Sequence, residues 1–129
     1  MTHLVDSDRV ADYLKGRADA MEILHGLAHE GLASSIITYG EILEGVYYGN
    51  ATAQSERDFR AFLRWVDRLP LNEVIFERFA RERGQLRQRG RLIGNLDLLI
   101  ASAALEHDLV LVTRNRRHFE RIPDLRLYD

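Results

Sequence analysis

Four consecutive aliphatic residues, Leu109-Val110-Leu111-Val112, most narrowly limit what this 129-residue chain can fold into. An unbroken apolar run of that length reads as a strand covered on both faces, the environment of a parallel sheet. Parallel strands need long crossovers, usually helices. The rest of the chain supplies them. His3, Leu4 and Val5 form a short apolar entry that meets Asp6-Ser7-Asp8, a cluster suited to ending a strand and capping a helix. A short helix through Ala11, Tyr13 and Leu14 closes on Gly16. Residues 17–31 carry Met21, Leu24, Leu27 and Ala28 at helical spacing. The pattern then predicts a brief strand over 35–37 and a helix from Thr38 through Tyr47. An amphipathic helix over 53–68 places Phe59, Phe62, Leu63 and Val66 on one face. Further along come a strand over 73–76, a charged helix over 77–89, an alanine-rich helix over 95–107 and an edge strand over 125–128. Short strands alternating with longer helices predict an α/β sandwich with a short, mostly parallel central sheet. With no linker or repeat, residues 1–129 read as a single domain.

Composition narrows the function classes. A net charge of −2 argues against holding nucleic acid by bulk positive field. The absence of cysteine excludes disulfides, thiolate metal sites and thiol nucleophiles. No apolar run approaches the ~20 residues of a membrane span, and the first 20 residues are too charged for a signal peptide. The expected location is the cytoplasm, with no membrane partner. Of the 18 basic residues, all but Lys15 are arginine. Arginine suits phosphate recognition, but a GC-rich genome produces the same skew.

In parallel α/β folds the functional crevice lies beyond the carboxyl ends of the strands. Three acids fall there by position: Asp6 after the first strand, Glu41 in the first turn of the helix from Thr38, and Asp97 in the first turn of the helix over 95–107. Thr113 and Asn115 arrive at the same edge after the aliphatic strand. Each has an ordinary structural role open to it. Asp6 or Asp8 can cap a helix, Thr38 with Glu41 fits a capping box, and Asn95 can cap the helix in which Asp97 is the second residue. Together, three unneutralised carboxylates repel and raise one another's pKa values. A divalent cation relieves that, and oxygen-only ligation favours Mg²⁺ or Mn²⁺. Mg²⁺ takes its remaining ligands from water and substrate phosphate, which points to phosphodiester hydrolysis.

The stretches His3-Leu-Val-Asp6-Ser-Asp8, Thr38-Tyr-Gly-Glu41-Ile-Leu-Glu44, Asp97-Leu-Leu-Ile100-Ala101 and Leu111-Val-Thr113-Arg-Asn115-Arg-Arg-His118-Phe119 together resemble PIN-domain nucleases of the VapC toxin type. The resemblance runs from residue 3 to 128. It implies a PIN-like three-layer α/β/α sandwich and a Mg²⁺- or Mn²⁺-dependent endoribonuclease cutting transfer or ribosomal RNA. Its catalytic residues would be Asp6, Glu41, Asp97 and Asn115, with Asp6 and Asp97 as metal ligands and Glu41 holding metal or orienting water. Many members carry a fourth acid where this chain has Asn115. Asp8 and Glu44 are nearby candidates for support, and Thr113 for orienting the acids. The implied partners are a VapB-like antitoxin docked on the helices from 17 to 68, a second copy in a homodimer, and operator DNA through the antitoxin alone.

Arg87, Arg89 and Arg91 lead towards Asp97, and Arg114 and Arg116 follow the last aliphatic strand. These arginines are the candidate RNA contacts, although a solvated helix face is the ordinary reading of the first group. His25 and His29 are spaced as zinc ligands can be, but lack the intervening glutamate and a third ligand, so they read as surface histidines. His118 beside Phe119 reads as packing. Three rivals remain. A phosphoacceptor receiver domain needs a lysine after its fifth strand, and Lys15 is the chain's sole lysine. A DNA-directed nuclease with the same acids is a second, and a catalytically silent PIN-fold partner-binding module, with Asn115 as its first sign of decay, is the third.

Overall fold

Leu4 and Val5 point to opposite faces of the first strand, and both are fully buried, so that strand needs a covering layer on each side. The structure, a computed structural model that describes residues 1–49 and 53–129, supplies both layers. In chain order the elements are β1 (His3–Val5), α1 (Ser7–Leu14), α2 (Ala18–Leu27) with a 3-10 turn (Ala28–Glu30), and β2 (Leu32–Ser35). There follow α3 (Ile36–Tyr48), α4 (Ala53–Phe62), β3 (Asp67–Leu69), α5 (Glu73–Gln88), α6 (Asn95–Glu106), β4 (Val110–Val112) and α7 (Arg116–Phe119). The sheet has the order β3-β2-β1-β4 and every pairing is parallel. Val5 lies opposite Ser34 on one side and Val112 on the other. All three strands therefore end together.

Two apolar clusters sandwich this sheet. On one face Leu4, Ala33 and Leu111 meet Ile75 and Leu86 of α5 and Leu98 and Ile100 of α6. On the other, Val5, Leu32 and Val112 meet Val10 of α1, Leu24 of α2 and Phe59 and Phe62 of α4. Burying each such side chain contributes about 1.5–3 kcal/mol. The accessible surface of 7293 Å² is what size scaling gives for this mass. This is the three-layer α/β/α arrangement the sequence predicts, with a sheet that is wholly rather than mostly parallel. Two glycines make sharp entries. Gly16 ends α1 at φ +75°, and Gly31 enters β2 at φ +95°, where a Cβ would stand 3.1 Å from Met1 Cα. Among the described residues, no helix is long and apolar enough to cross a membrane.

Several boundaries differ from the sequence pattern, each for a local reason. The second strand is Leu32–Ser35, not 35–37, because the Ser35 hydroxyl accepts from Ile37 N–H at 3.0 Å and starts α3 there. Glu41 consequently sits in the second turn of α3 rather than the first, and Thr38 is not a cap. The helix expected over 53–68 stops at Phe62; Leu63 and Val66 keep their places in the core, and Asp67–Leu69 forms the edge strand β3. The strand expected over 73–76 is the first turn of α5, which Asn72 caps by accepting from Ile75 N–H at 2.9 Å. Gly94, not Asn95, caps α6, so Asp97 is its third residue. The edge strand expected over 125–128 reduces to one bridge, Leu127 beside Leu111. Because the Asn72 cap is what starts α5, Asn72→Ala is expected to lower unfolding free energy by about 1 kcal/mol in urea titration; a strand at 73–76 predicts no change.

Candidate functional site

Parallel register delivers the ends of β1, β2 and β4 to one edge, and the residues that follow them converge. Asp6, directly after β1, is buried; its amide donates to Val112 O at 2.9 Å, which carries the β1–β4 pairing one residue past the strands. Its Oδ1 accepts from Ser7 N–H at 2.8 Å and its Oδ2 from the Thr113 hydroxyl at 2.7 Å. Thr113 Oγ1 also lies 3.4 Å from Asp8 Oδ2, so one hydroxyl spans two carboxylates. Asp8 Oδ2 accepts from Arg114 N–H at 3.0 Å. Its other oxygen, Oδ1, is buried without a hydrogen-bond partner.

Two further groups close the site. The Ser7 hydroxyl donates to Glu41 Oε1 and lies 2.9 Å from the Thr38 hydroxyl, so Glu41 is tied to the start of α1. On the opposite side, Asn115 Nδ2 lies 3.5 Å from Asp97 Oδ2 and 3.0 Å from His118 Nδ1. His118 Nδ1 stands 3.9 Å from Asp97 Oδ2. Asn115 N–H donates to Thr113 Oγ1 at 3.0 Å, which makes Thr113 the hub of the loop between β4 and α7.

The electrostatics follow from burial and from like charge. Burial, then the Asp8 carboxylate, push Asp6 from the ordinary aspartate value up to about 7, against the hydrogen bonds from Thr113 and Ser7. Asp97 also contributes to that rise. Asp97 is itself raised, by burial first, with His118 opposing and Asp8 adding. Asp6, Asp8 and Asp97 thus act on one another as a single negative cluster. A buried carboxylate oxygen with no donor and an acid held near neutrality are the signs of a site that lacks its counter-charge. All the charged donors are oxygens, which fits Mg²⁺ or Mn²⁺ better than zinc. Among the described residues no three His or acidic side chains stand close enough to enclose an ion by themselves.

Every residue expected from the sequence can now be placed. Asp6, Asp97, Asn115, Thr113 and Asp8 come together; Glu41 joins them through Ser7, while Glu44 is exposed on α3. Arg87, Arg89 and Arg91 are exposed around the end of α5. Arg114 and Arg116 are engaged within the chain: Arg114 Nε stands 2.7 Å from Asp12 Oδ2, and Arg116 Nη1 donates to Tyr128 O at 3.0 Å. His25 is exposed and sits 2.9 Å from the Tyr13 hydroxyl, away from any acid cluster. Two participants escape sequence reasoning: Ser7 looks like a turn residue and His118 like packing. The one legible signal is spacing: His118 lies three residues beyond Asn115 on α7 and so shares its face.

A family model described as PIN domain matches residues 4–125. The chain belongs to the PIN-domain family. Ribonuclease VapC1 of Haemophilus influenzae (strain R2866) is 33% identical over the whole chain and 98% of its own length. Ribonuclease VapC1 of Methanocaldococcus jannaschii is 33% identical over 98% of this chain and 86% of its own. The fold is also that of a solved chain from VapBC2 of Rickettsia felis bound to a promoter DNA fragment, with TM-score 0.91, 29% identity, and coverage of 99% and 98%. This PIN domain therefore groups with the VapC proteins along its full length.

The raised Asp6 pKa sets a pH dependence for the ion-free PIN domain. The folded state binds the Asp6 proton more tightly than the unfolded chain, so stability falls as pH rises from about 4 to about 7 and stays low above. Asp6→Asn retains an acceptor for Thr113 but has no charge to bury. In EDTA it is expected to exceed wild type at pH 8 by on the order of 3 kcal/mol, and to match it near pH 4. Urea titrations at the two pH values check this.

Proposed function

We propose that this chain is the toxin of a type II toxin–antitoxin pair, a Mg²⁺- or Mn²⁺-dependent endoribonuclease that hydrolyses RNA phosphodiester bonds. The observation that carries the reading is the Asp6–Asp8–Asp97 cluster, with an orphaned oxygen on Asp8 and Asp6 pushed up to about 7. Full-length similarity to proteins called ribonuclease VapC supports the RNA substrate class. Asp6 and Asp97 would hold the cation, with Asp8 Oδ1 facing the same charge. When bound, the cation lowers the pKa of an attacking water and stabilises the leaving oxygen. Glu41, held by Ser7, orients that water. Thr113 keeps the Asp6 and Asp8 oxygens aimed, and the uncharged Asn115 orders the space beside Asp97 without adding to the repulsion. Transfer or ribosomal RNA is the proposed substrate, gripped by Arg87, Arg89 and Arg91, with Arg116 at the opposite rim.

The same reading includes a VapB-like antitoxin, a homodimer of this chain, and operator DNA contacted through the antitoxin. A groove of about 470 Å³ between α1 and α3 supports the antitoxin: Ala11, Leu14, Ile42 and Val46 line it and Glu41 stands at its wall. A second hollow of about 330 Å³ shares Leu14 and adds Tyr13, Phe62 and Trp65. Their apolar lining suits the apolar side chains of an antitoxin segment.

Cleavage of a small-RNA pool by the antitoxin-free chain is expected with Mg²⁺ or Mn²⁺ and not with EDTA. Asp6→Asn and Asp97→Asn should each reduce it by roughly a hundredfold or more. Inert wild type that still binds metal would favour the silent binding module instead. Replacing Arg87, Arg89 and Arg91 with glutamine should flatten the slope of log affinity for RNA against log salt by about two to three; an unchanged slope removes them from the interface. Gly45, where a Cβ would meet open space in the groove wall, gives a third test. Gly45→Trp is expected to abolish co-purification with the antitoxin while leaving the melting temperature within a few degrees.

A further inference from the structure

Asp12 is an acid with no part in the cluster above, yet it is only 3% exposed. Acids are almost never that buried unless paired. Its partners come from two different segments: Arg17 Nε stands 3.3 Å from Oδ1, and Arg114 Nε 2.7 Å from Oδ2. Arg17 belongs to the turn into α2, and its N–H also donates to Asp12 O at 3.1 Å. Arg114 belongs to the loop between β4 and α7.

Asp8 and Asp12 lie four residues apart on α1, so they share one face of that helix. They take hold of the same residue at two points. Asp8 Oδ2 accepts from the Arg114 amide at 3.0 Å, while Asp12 meets the Arg114 side chain. The residue before Arg114 is Thr113, which bonds Asp6; the residue after it is Asn115, which reaches Asp97 and His118. Nothing from the sheet ladder holds Thr113, Arg114 and Asn115, since β4 ends at Val112. Their placement depends on side-chain contacts, and Arg114 is tied to α1 through both its backbone and its side chain.

We propose that Asp12 is a positioning residue for the acid cluster: through Arg114 it sets the loop of residues 113–115, and with it the oxygens of Asp6, Asp8 and Asp97. This rests on the metal-dependent reading of the site. It also gives Arg114 a different task from gripping RNA phosphate, because its Nε is turned to a buried carboxylate. Arg17 serves as the internal control, since it pairs with the same acid but leads away from the site.

The test compares Arg114→Met, Arg17→Met, Asp12→Asn and the Asp12→Asn/Arg114→Met pair. Amide exchange, read by NMR without metal, is expected to speed up tenfold or more at residues 114 and 115 in Arg114→Met and Asp12→Asn, and to stay unchanged there in Arg17→Met. Mn²⁺ alone, titrated by calorimetry, should bind about tenfold more weakly to Arg114→Met, at wild-type strength to Arg17→Met, and no more weakly to the double variant than to the worse single. If Asp12→Asn fails to fold, the two arginine variants still decide. Unchanged exchange at 114 and 115 in Arg114→Met overturns the proposal. So does a rise in KM for RNA with Mn²⁺ affinity intact, which would make Arg114 a phosphate contact. Wild type that takes up no Mn²⁺ would defeat the metal reading of the site, and the exchange comparison would then decide the clamp on its own.

Discussion

The hydrogen bond from the Thr113 hydroxyl to Asp6 joins residues 107 positions apart, and it lies where the pairing of β1 with β4 runs out. β1 is an inner strand with neighbours on both sides, so its carboxyl end is enclosed by β2, β4 and the helices that follow them. A carboxylate there is removed from water by the fold itself. Desolvation raises Asp6 and concentrates its field, and Asp8 and Asp97 intensify both effects. The remaining polar groups of the site, from Ser7 to His118, are arranged around that one destabilised charge. The fold holds it in place with hydrogen bonds from Ser7 and Thr113. This is the usual division in functional sites, where local stability is given up for chemistry.

Much of this was legible in the residues. The run Leu109–Val112 announced a doubly covered parallel strand, and the position of Asp6, Asp97, Thr113 and Asn115 beside strand ends brought them to one edge. Periodicity failed where a short element was settled by a single side chain. Ser35 and Asn72 convert β-branched stretches into helix starts by capping, so Ile36-Ile37 and Val74-Ile75 are helical despite their preference for strands. β3 was hidden because Asp67-Arg68-Leu69 has two exposed positions and only Leu69 in the core. It is an edge strand, recruited by pairing with β2 rather than by its own apolar content.

The site was legible as a list of acids but not as a network. Ser7, Asp12 and His118 matter through what they touch, and each touches something distant or differently charged. Arg114 illustrates the limit: its place after β4 follows from the sequence, while its pairing with Asp12 depends on a buried acid that lies on another element. A pattern of basic residues therefore overstates the surface available to phosphate. Arg114, Arg116 and Arg121 spend part of their hydrogen-bonding capacity on Asp12, Tyr128 and the carbonyls of Arg91 and Leu92.

The order of strands also governs when the site comes into being. β1 is made first, but one of its two neighbours, β4, emerges more than a hundred residues later. A nascent chain on the ribosome carries Asp6 and Asp8 from the outset, yet has neither Thr113 nor Arg114 to aim them and no β4 to shield them from water. The acids stay solvated until β4 and the loop after it have been made. A centre built on so non-local a pairing appears late and all at once, so a truncated translation product of this chain holds its acids without the geometry that would let them act together.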